Sequence, residues 1–131
     1  MRRRPRTDAM RSAVLAGVLS LIALNAAAAD LVVVRLVENR FEPAELMLEH
    51  GKAYRLRLEN AGHDHHEFKA AAFFKAAKVL TPSVLVQDGS EVALEAGKSA
   101  EVDLVAPVAG TYELTCPDHD WDGMVGKIVV R

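Results

Sequence analysis

The residues best suited to chemistry lie close to the end of the chain, in Thr115-Cys116-Pro117-Asp118-His119-Asp120-Trp121-Asp122-Gly123-Met124-Val125-Gly126. Cys116 is the only cysteine of the 131 residues, and the pattern Cys116-x2-His119-x4-Met124 sets a thiol, an imidazole and a thioether within one loop. Those are the soft donors of a protein. Two histidines and a cysteine in a trigonal arrangement, with a long axial methionine, make a copper site suited to electron transfer. Structural zinc takes four N, S or O ligands and has no use for a thioether, so Met124 is the residue that points to copper. A second imidazole has to come from elsewhere, and His63-Asp64-His65-His66-Glu67-Phe68 offers three.

Each donor alone carries little weight. An isolated cysteine behaves as a small buried hydrophobe, and an isolated methionine fills a core. Their joint spacing in a chain with one cysteine makes the case. An unpaired thiol in an exported protein is exposed to oxidation unless it is shielded or occupied, and metal ligation occupies it. No nucleophile–base pair and no phosphate-cradling glycine loop accompanies the cluster.

The elements that must position these donors read as short strands. Leu31–Val37 is rich in β-branched residues, and Glu45–Glu49 alternates around Leu46 and Leu48. Tyr54–Glu59 alternates strictly, as do Glu91–Leu94 and Ser99–Val105, the pattern of half-buried antiparallel strands. Thr111–Cys116 turns Tyr112, Leu114 and Cys116 to one face, and Lys127–Val130 closes the chain, so the donor loop hangs between two strands. Asn39–Pro43, His50-Gly51-Lys52, Asn60-Ala61-Gly62 and Ala96-Gly97-Lys98 are the breaks. Only Lys69–Lys78, rich in alanine and lysine, favours helix, and Thr81-Pro82 limits it. Seven to eight short strands, with a short helical or irregular segment near 70–80, predict an all-β, single-domain antiparallel sandwich or barrel. Gly123 and Gly126 are expected to loosen the backbone beside Met124, and Trp121 to shield the sulfur.

Residues 1–29 read as a secretory signal peptide. A basic start (Arg2, Arg3, Arg4, Arg6, Arg11) precedes an apolar run from Ser12 to Leu24, and Ala-x-Ala cleavage sites follow. The run is short for a membrane span. Residues 30–131 are then the working domain, exported to the periplasm, with no membrane insertion after cleavage. Beyond Ala29 there are 11 Lys and Arg against 17 Asp and Glu, a formal charge of −6 compared with −2 for the whole chain. That balance disfavours nucleic acid and favours basic protein partners.

Taken together, the loop, the Asn60-Ala61-Gly62 turn before the histidines and the strand Gly110–Cys116 resemble the cupredoxins, the small blue-copper proteins. The likeness spans the whole domain from Leu31 to Val130, and implies a Greek-key β-sandwich holding one type 1 copper ion. It also implies a metal set of His66, Cys116, His119 and Met124. His66-Glu67-Phe68 is how many bacterial cupredoxin-like domains present the first histidine, which selects His66; counting from Asn60 as in plastocyanins selects His65 instead. Thr115 and Pro117 stand where multicopper oxidases carry histidines, and a dinuclear electron-entry centre needs two cysteines. The resemblance therefore implies a non-catalytic, monomeric one-electron carrier serving redox partner proteins that are basic or membrane-bound. An alternative is a metal-handling accessory in copper delivery or iron uptake. Asp118, Asp120 and Asp122 depart from the apolar rim usual around the exposed histidine.

Overall fold

Alternation in the sequence becomes two facing sheets. The structure, a computed structural model, describes residues 28–131; the signal peptide read over 1–29 lies, apart from its last two residues, outside the described residues. Ten strands are found there: β1 (Asp30–Val37), β2 (Arg40–Glu42), β3 (Glu45–Leu48), β4 (Ala53–Asn60), β5 (His66–Lys69), β6 (Lys78–Val79), β7 (Glu91–Leu94), β8 (Ser99–Val105), β9 (Gly110–Thr115) and β10 (Val125–Val130). One sheet has the order β2-β1-β4-β8-β6 and the other β3-β10-β9-β5-β7. Non-consecutive neighbours in both sheets give the interleaving of a β-sandwich, as expected.

Three strands exceed the sequence reading: β2 falls inside the Asn39–Pro43 break, β6 has only two residues, and β5 is buried at three consecutive positions and so does not alternate. A second difference is direction. The expected antiparallel sandwich is mixed, because β1 runs parallel to β4 and β3 parallel to β10. In each case the chain passes through the opposite sheet before the partner strand is laid down, which leaves the two strands running the same way.

Between the sheets lies one core. β4 buries Tyr54, Leu56 and Leu58, and β8 buries Val102 and Leu104. The opposite sheet contributes Leu46, Leu48, Phe68, Val92, Leu114, Ile128 and Val130. The one α-helix among the described residues, α1 (Ala71–Ala76), is shorter than the alanine-rich run suggests. Its two aromatics decide its place: Phe73 packs edge-on against Tyr112 of β9 with ring centroids 5.6 Å apart, and Phe74 lies 6.1 Å from Phe68 of β5. α1 is thereby clamped over the two strands that carry the candidate donors.

The two glycines of the last loop do different jobs. Gly123 has φ +87°, the left-handed conformation that ends the 3-10 turn Asp120–Asp122. Gly126 sits inside β10, and its role is not the flexibility expected of it. A Cβ there would lie 2.4 Å from the carbonyl oxygen of Ala44, the group that accepts a hydrogen bond from the Lys127 N–H at 2.9 Å. Gly126→Ala must therefore push β10 and the segment before β3 apart. We expect a loss of about 1–3 kcal/mol, the usual cost of overpacking, read as a Tm lowered by at least about 4 °C.

Candidate metal centre

β5 and β9 are paired at a single position, Lys69↔Thr115. β9 ends there, and Cys116 leaves it directly opposite the residues that precede Lys69. The backbone N–H of Glu67 consequently points at Cys116 Sγ, donating at 3.4 Å. This divergence opens the space into which His66 turns from β5, while β7 holds the other side of β5 through His66↔Leu94.

Past Cys116 the loop is tied to itself. The N–H of His119 donates to Cys116 O at 3.0 Å, that of Met124 to His119 O at 3.1 Å, and that of Cys116 to Met124 O at 3.1 Å. The three donor-bearing residues of the loop are therefore linked through their own backbones. Asn39, in the β1–β2 turn, hydrogen-bonds through its side-chain amide to Asp122 and fastens the loop to the opposite sheet.

Ring nitrogens of His66 and His119 and the sulfur of Cys116 lie within 4.8 Å of one another. Cys116 Sγ is 3.4 Å from His119 Nδ1 and 3.9 Å from His66 Nδ1, and the two rings have centroids 4.6 Å apart. A trigonal metal with bonds of about 2.0–2.3 Å separates its ligand atoms by roughly 3.5–4.0 Å. The observed spacings match a metal-sized gap among these donors. Cys116, Met124 and His66 are buried, whereas His119 is only partly so.

Electrostatics fit the same reading. Burial, and secondarily the carboxylate of Glu67, push the Cys116 thiol up to about 11. Burial and then the neighbouring His119 hold His66 below the ordinary imidazole value. Both effects favour a thiol and a neutral imidazole, the states from which a cation displaces one proton and meets one lone pair. His66 Nε2 is buried without a hydrogen-bond partner, and a Cβ on Gly62 would come within 3.0 Å of it. Gly62 thus leaves room for a ring whose other nitrogen faces the sulfur.

Of the histidines in the His63–His66 stretch, the structure brings His66 into the cluster and leaves the others out. His65 turns the other way, with Nδ1 2.9 Å from Glu95 and Nε2 3.1 Å from Glu67. His63 is exposed, 3.7 Å from Glu38. Trp121, expected to shield the sulfur, is instead 79% exposed, its indole N–H donating to Asp118 O at 2.9 Å. The sulfur is covered by the sandwich core and needs no lid. Glu67 is the residue the sequence did not single out: it is buried, with Oε2 3.1 Å from Cys116 Sγ. Alternation beside an inward His66 would turn Glu67 to solvent; instead β5, flanked by β9 and β7, is buried at three consecutive residues, His66, Glu67 and Phe68.

A family model described as a cupredoxin-like domain matches residues 11–130. No curated protein matches the chain. Among solved structures, auracyanin B is 26% identical, over 79% of this chain and 89% of its own, with a TM-score of 0.59. A dithionite-reduced auracyanin from the photosynthetic bacterium Roseiflexus castenholzii is 17% identical over 79% and 98%, with a TM-score of 0.58. Auracyanin A, described as a "blue" copper protein from the green thermophilic photosynthetic bacterium Chloroflexus aurantiacus, is 23% identical over 77% and 99%, with a TM-score of 0.54. The last two bear on the fold alone. No helix among the described residues is long and apolar enough to cross a membrane.

Proposed function

The chain belongs to the cupredoxin family, and from that premise we propose that it is a periplasmic, monomeric one-electron carrier with a single type 1 copper site. Nδ1 of His66, Sγ of Cys116 and Nδ1 of His119 would hold the copper strongly, and the thioether of Met124 would be the weak fourth donor. The observation that carries this reading is the convergence of the two imidazole nitrogens on the sulfur, at 3.4 and 3.9 Å. Copper bound there supplies exchange of one electron between Cu(II) and Cu(I).

The chain's own residues do the rest. β5 holds His66, and the backbone hydrogen bonds of the Cys116–Met124 loop hold the other donors, so little movement accompanies a change of charge at the site. The Glu67 N–H hydrogen bond draws electron density from the sulfur and stabilises its thiolate. Met124 is fully buried, so its thioether is shielded from water. His119 is the most exposed of the three strong donors, and its ring edge is the exit for the electron. Asp118, Asp120 and Asp122, all exposed, lie within three residues of His119 in the same loop. Their charge favours the more positive oxidation state, lowering the potential relative to an apolar rim, and steers a basic redox partner.

The test is a visible spectrum of the purified domain after addition of Cu(II) and then ascorbate. An intense thiolate-to-copper band that bleaches on reduction and returns on oxidation is expected. His66→Ala should lose the band and His65→Ala keep it; a band surviving in His66→Ala would move the first ligand elsewhere.

One observation favours a second reading. The Glu67 carboxylate beside the sulfur, with the acidic rim, suits a protein that passes on metal ions, in copper delivery or iron uptake. Copper bound without the intense band would select that reading over electron transfer.

A further inference from the structure

Glu67 presents its two oxygens to two different neighbours. Oε2 lies 3.1 Å from Cys116 Sγ, and Oε1 lies 3.1 Å from Nε2 of His65. His65, Glu67 and Asp118 each bring a donor atom within 4.8 Å of the other two. None of these three side chains is a copper ligand in the reading above.

The far side of His65 supplies an independent sign. Its Nδ1 is 2.9 Å from the carboxylate of Glu95. Both ring nitrogens thus lie within hydrogen-bond distance of a carboxylate, and a metal ion on Nε2 takes the place of a proton shared with Glu67. A histidine oriented from behind by a carboxylate is the arrangement that metal-ligating histidines adopt. The surroundings are also over-supplied with negative charge. Glu91 is buried, and burial, followed by the carboxylates of Glu67 and Asp118, holds its carboxyl above the usual range against the opposing Lys69.

We propose that His65, Glu67 and Asp118 form a second cation site beside the copper centre. It takes a divalent ion of intermediate hardness such as Zn(II) or Fe(II), with Glu95 orienting His65. One imidazole and two carboxylates suit such ions better than the thiolate–thioether set next door. The two carboxylates also match a 2+ charge. Glu67 belongs to both neighbourhoods, so an ion on Oε1 draws its charge away from the sulfur of Cys116.

Zn(II) is the probe, measured by equilibrium dialysis and metal analysis on the whole domain. The Cys116→Ala variant, which lacks the sulfur, should bind one Zn(II) per chain. In that background His65→Ala and Asp118→Asn should each weaken binding by at least about tenfold, and Glu95→Gln by about 10–100-fold, as for outer partners of metal ligands. Failure of folded Cys116→Ala to take up Zn(II) overturns the proposal. So does uptake indifferent to His65→Ala and Asp118→Asn, which would assign the ion to His66 and His119. Should Cys116→Ala fail to fold by far-UV circular dichroism, the same substitutions in the intact chain must lower Zn(II) stoichiometry from two to one; two ions retained refutes the site. His65→Ala and Asp118→Asn should keep the copper band, so failure of this site and failure of the copper reading are separable.

Discussion

Cys116→Ser abolishes the intense visible absorption of the Cu(II)-loaded domain and weakens copper binding by more than the ~10–100-fold that an outer partner of a metal ligand carries. Serine nearly preserves the shape of a side chain that is fully buried, so the fold should survive and far-UV circular dichroism should be unchanged. What goes is the soft thiolate, the donor that both binds copper strongly and gives the band. The same residue predicts a pH dependence. With the thiol pushed up to about 11, copper must displace its proton throughout the neutral range. The apparent affinity of the parent protein should therefore rise by about tenfold per pH unit below that value, from the thiol alone. The serine variant should lose that slope. A strong band in Cys116→Ser ends the type 1 reading, and an unchanged slope places the displaced proton elsewhere.

The largest stability effect is expected from Phe68→Ala. Phe68 follows Glu67 in β5, is fully buried, and meets Phe41 of β2 edge-on at 5.8 Å and Phe74 of α1 at 6.1 Å. It joins both sheets and the helix immediately below the metal centre. Removing a buried phenyl ring costs about 3–5 kcal/mol, so thermal unfolding should shift down by roughly 12 °C or more. The contrast is Trp121→Ala. Trp121 is larger but 79% exposed, and exposed substitutions usually stay within about 0.5 kcal/mol. Equal losses for the two would mean that Phe68 contributes only area, not the junction of three elements.

The two residues also mark what was legible in the sequence. Strands long enough to alternate were readable: Tyr54–Glu59 became β4 with Tyr54, Leu56 and Leu58 inside, and Ser99–Val105 became β8 without change of bounds. Spacing alone brought Cys116, His119 and Met124 into one loop, because a short loop between two paired strands leaves donors nowhere else to go. β2, β5 and β6 were hidden, since β2 lies in a turn-forming stretch, β6 has two residues and β5 buries three in a row instead of alternating. Parallel pairing of β1 with β4 was hidden too, as direction is a property of the route between strands and not of either strand. Glu67 escaped because its burial depends on β9 and β7 flanking β5. Trp121 was misjudged because an aromatic beside a ligand faces inward or outward according to a turn, here one that ends at left-handed Gly123.

The place of β10 has a consequence for how the protein comes into being. β10 lies between β3 and β9, joined to β3 across some eighty residues, with Lys127 opposite Glu45. Pairings of such long range form slowly, because chain closure must precede the contacts that reward it. Until β10 is threaded between its partners, the loop from Cys116 to Met124 has one anchored end, and its donors are not gathered. The nascent chain therefore offers passing ions only scattered side chains. Gathering of the donors is thereby tied to one long-range pairing, and the metal site and the mixed sheet around β10 form together.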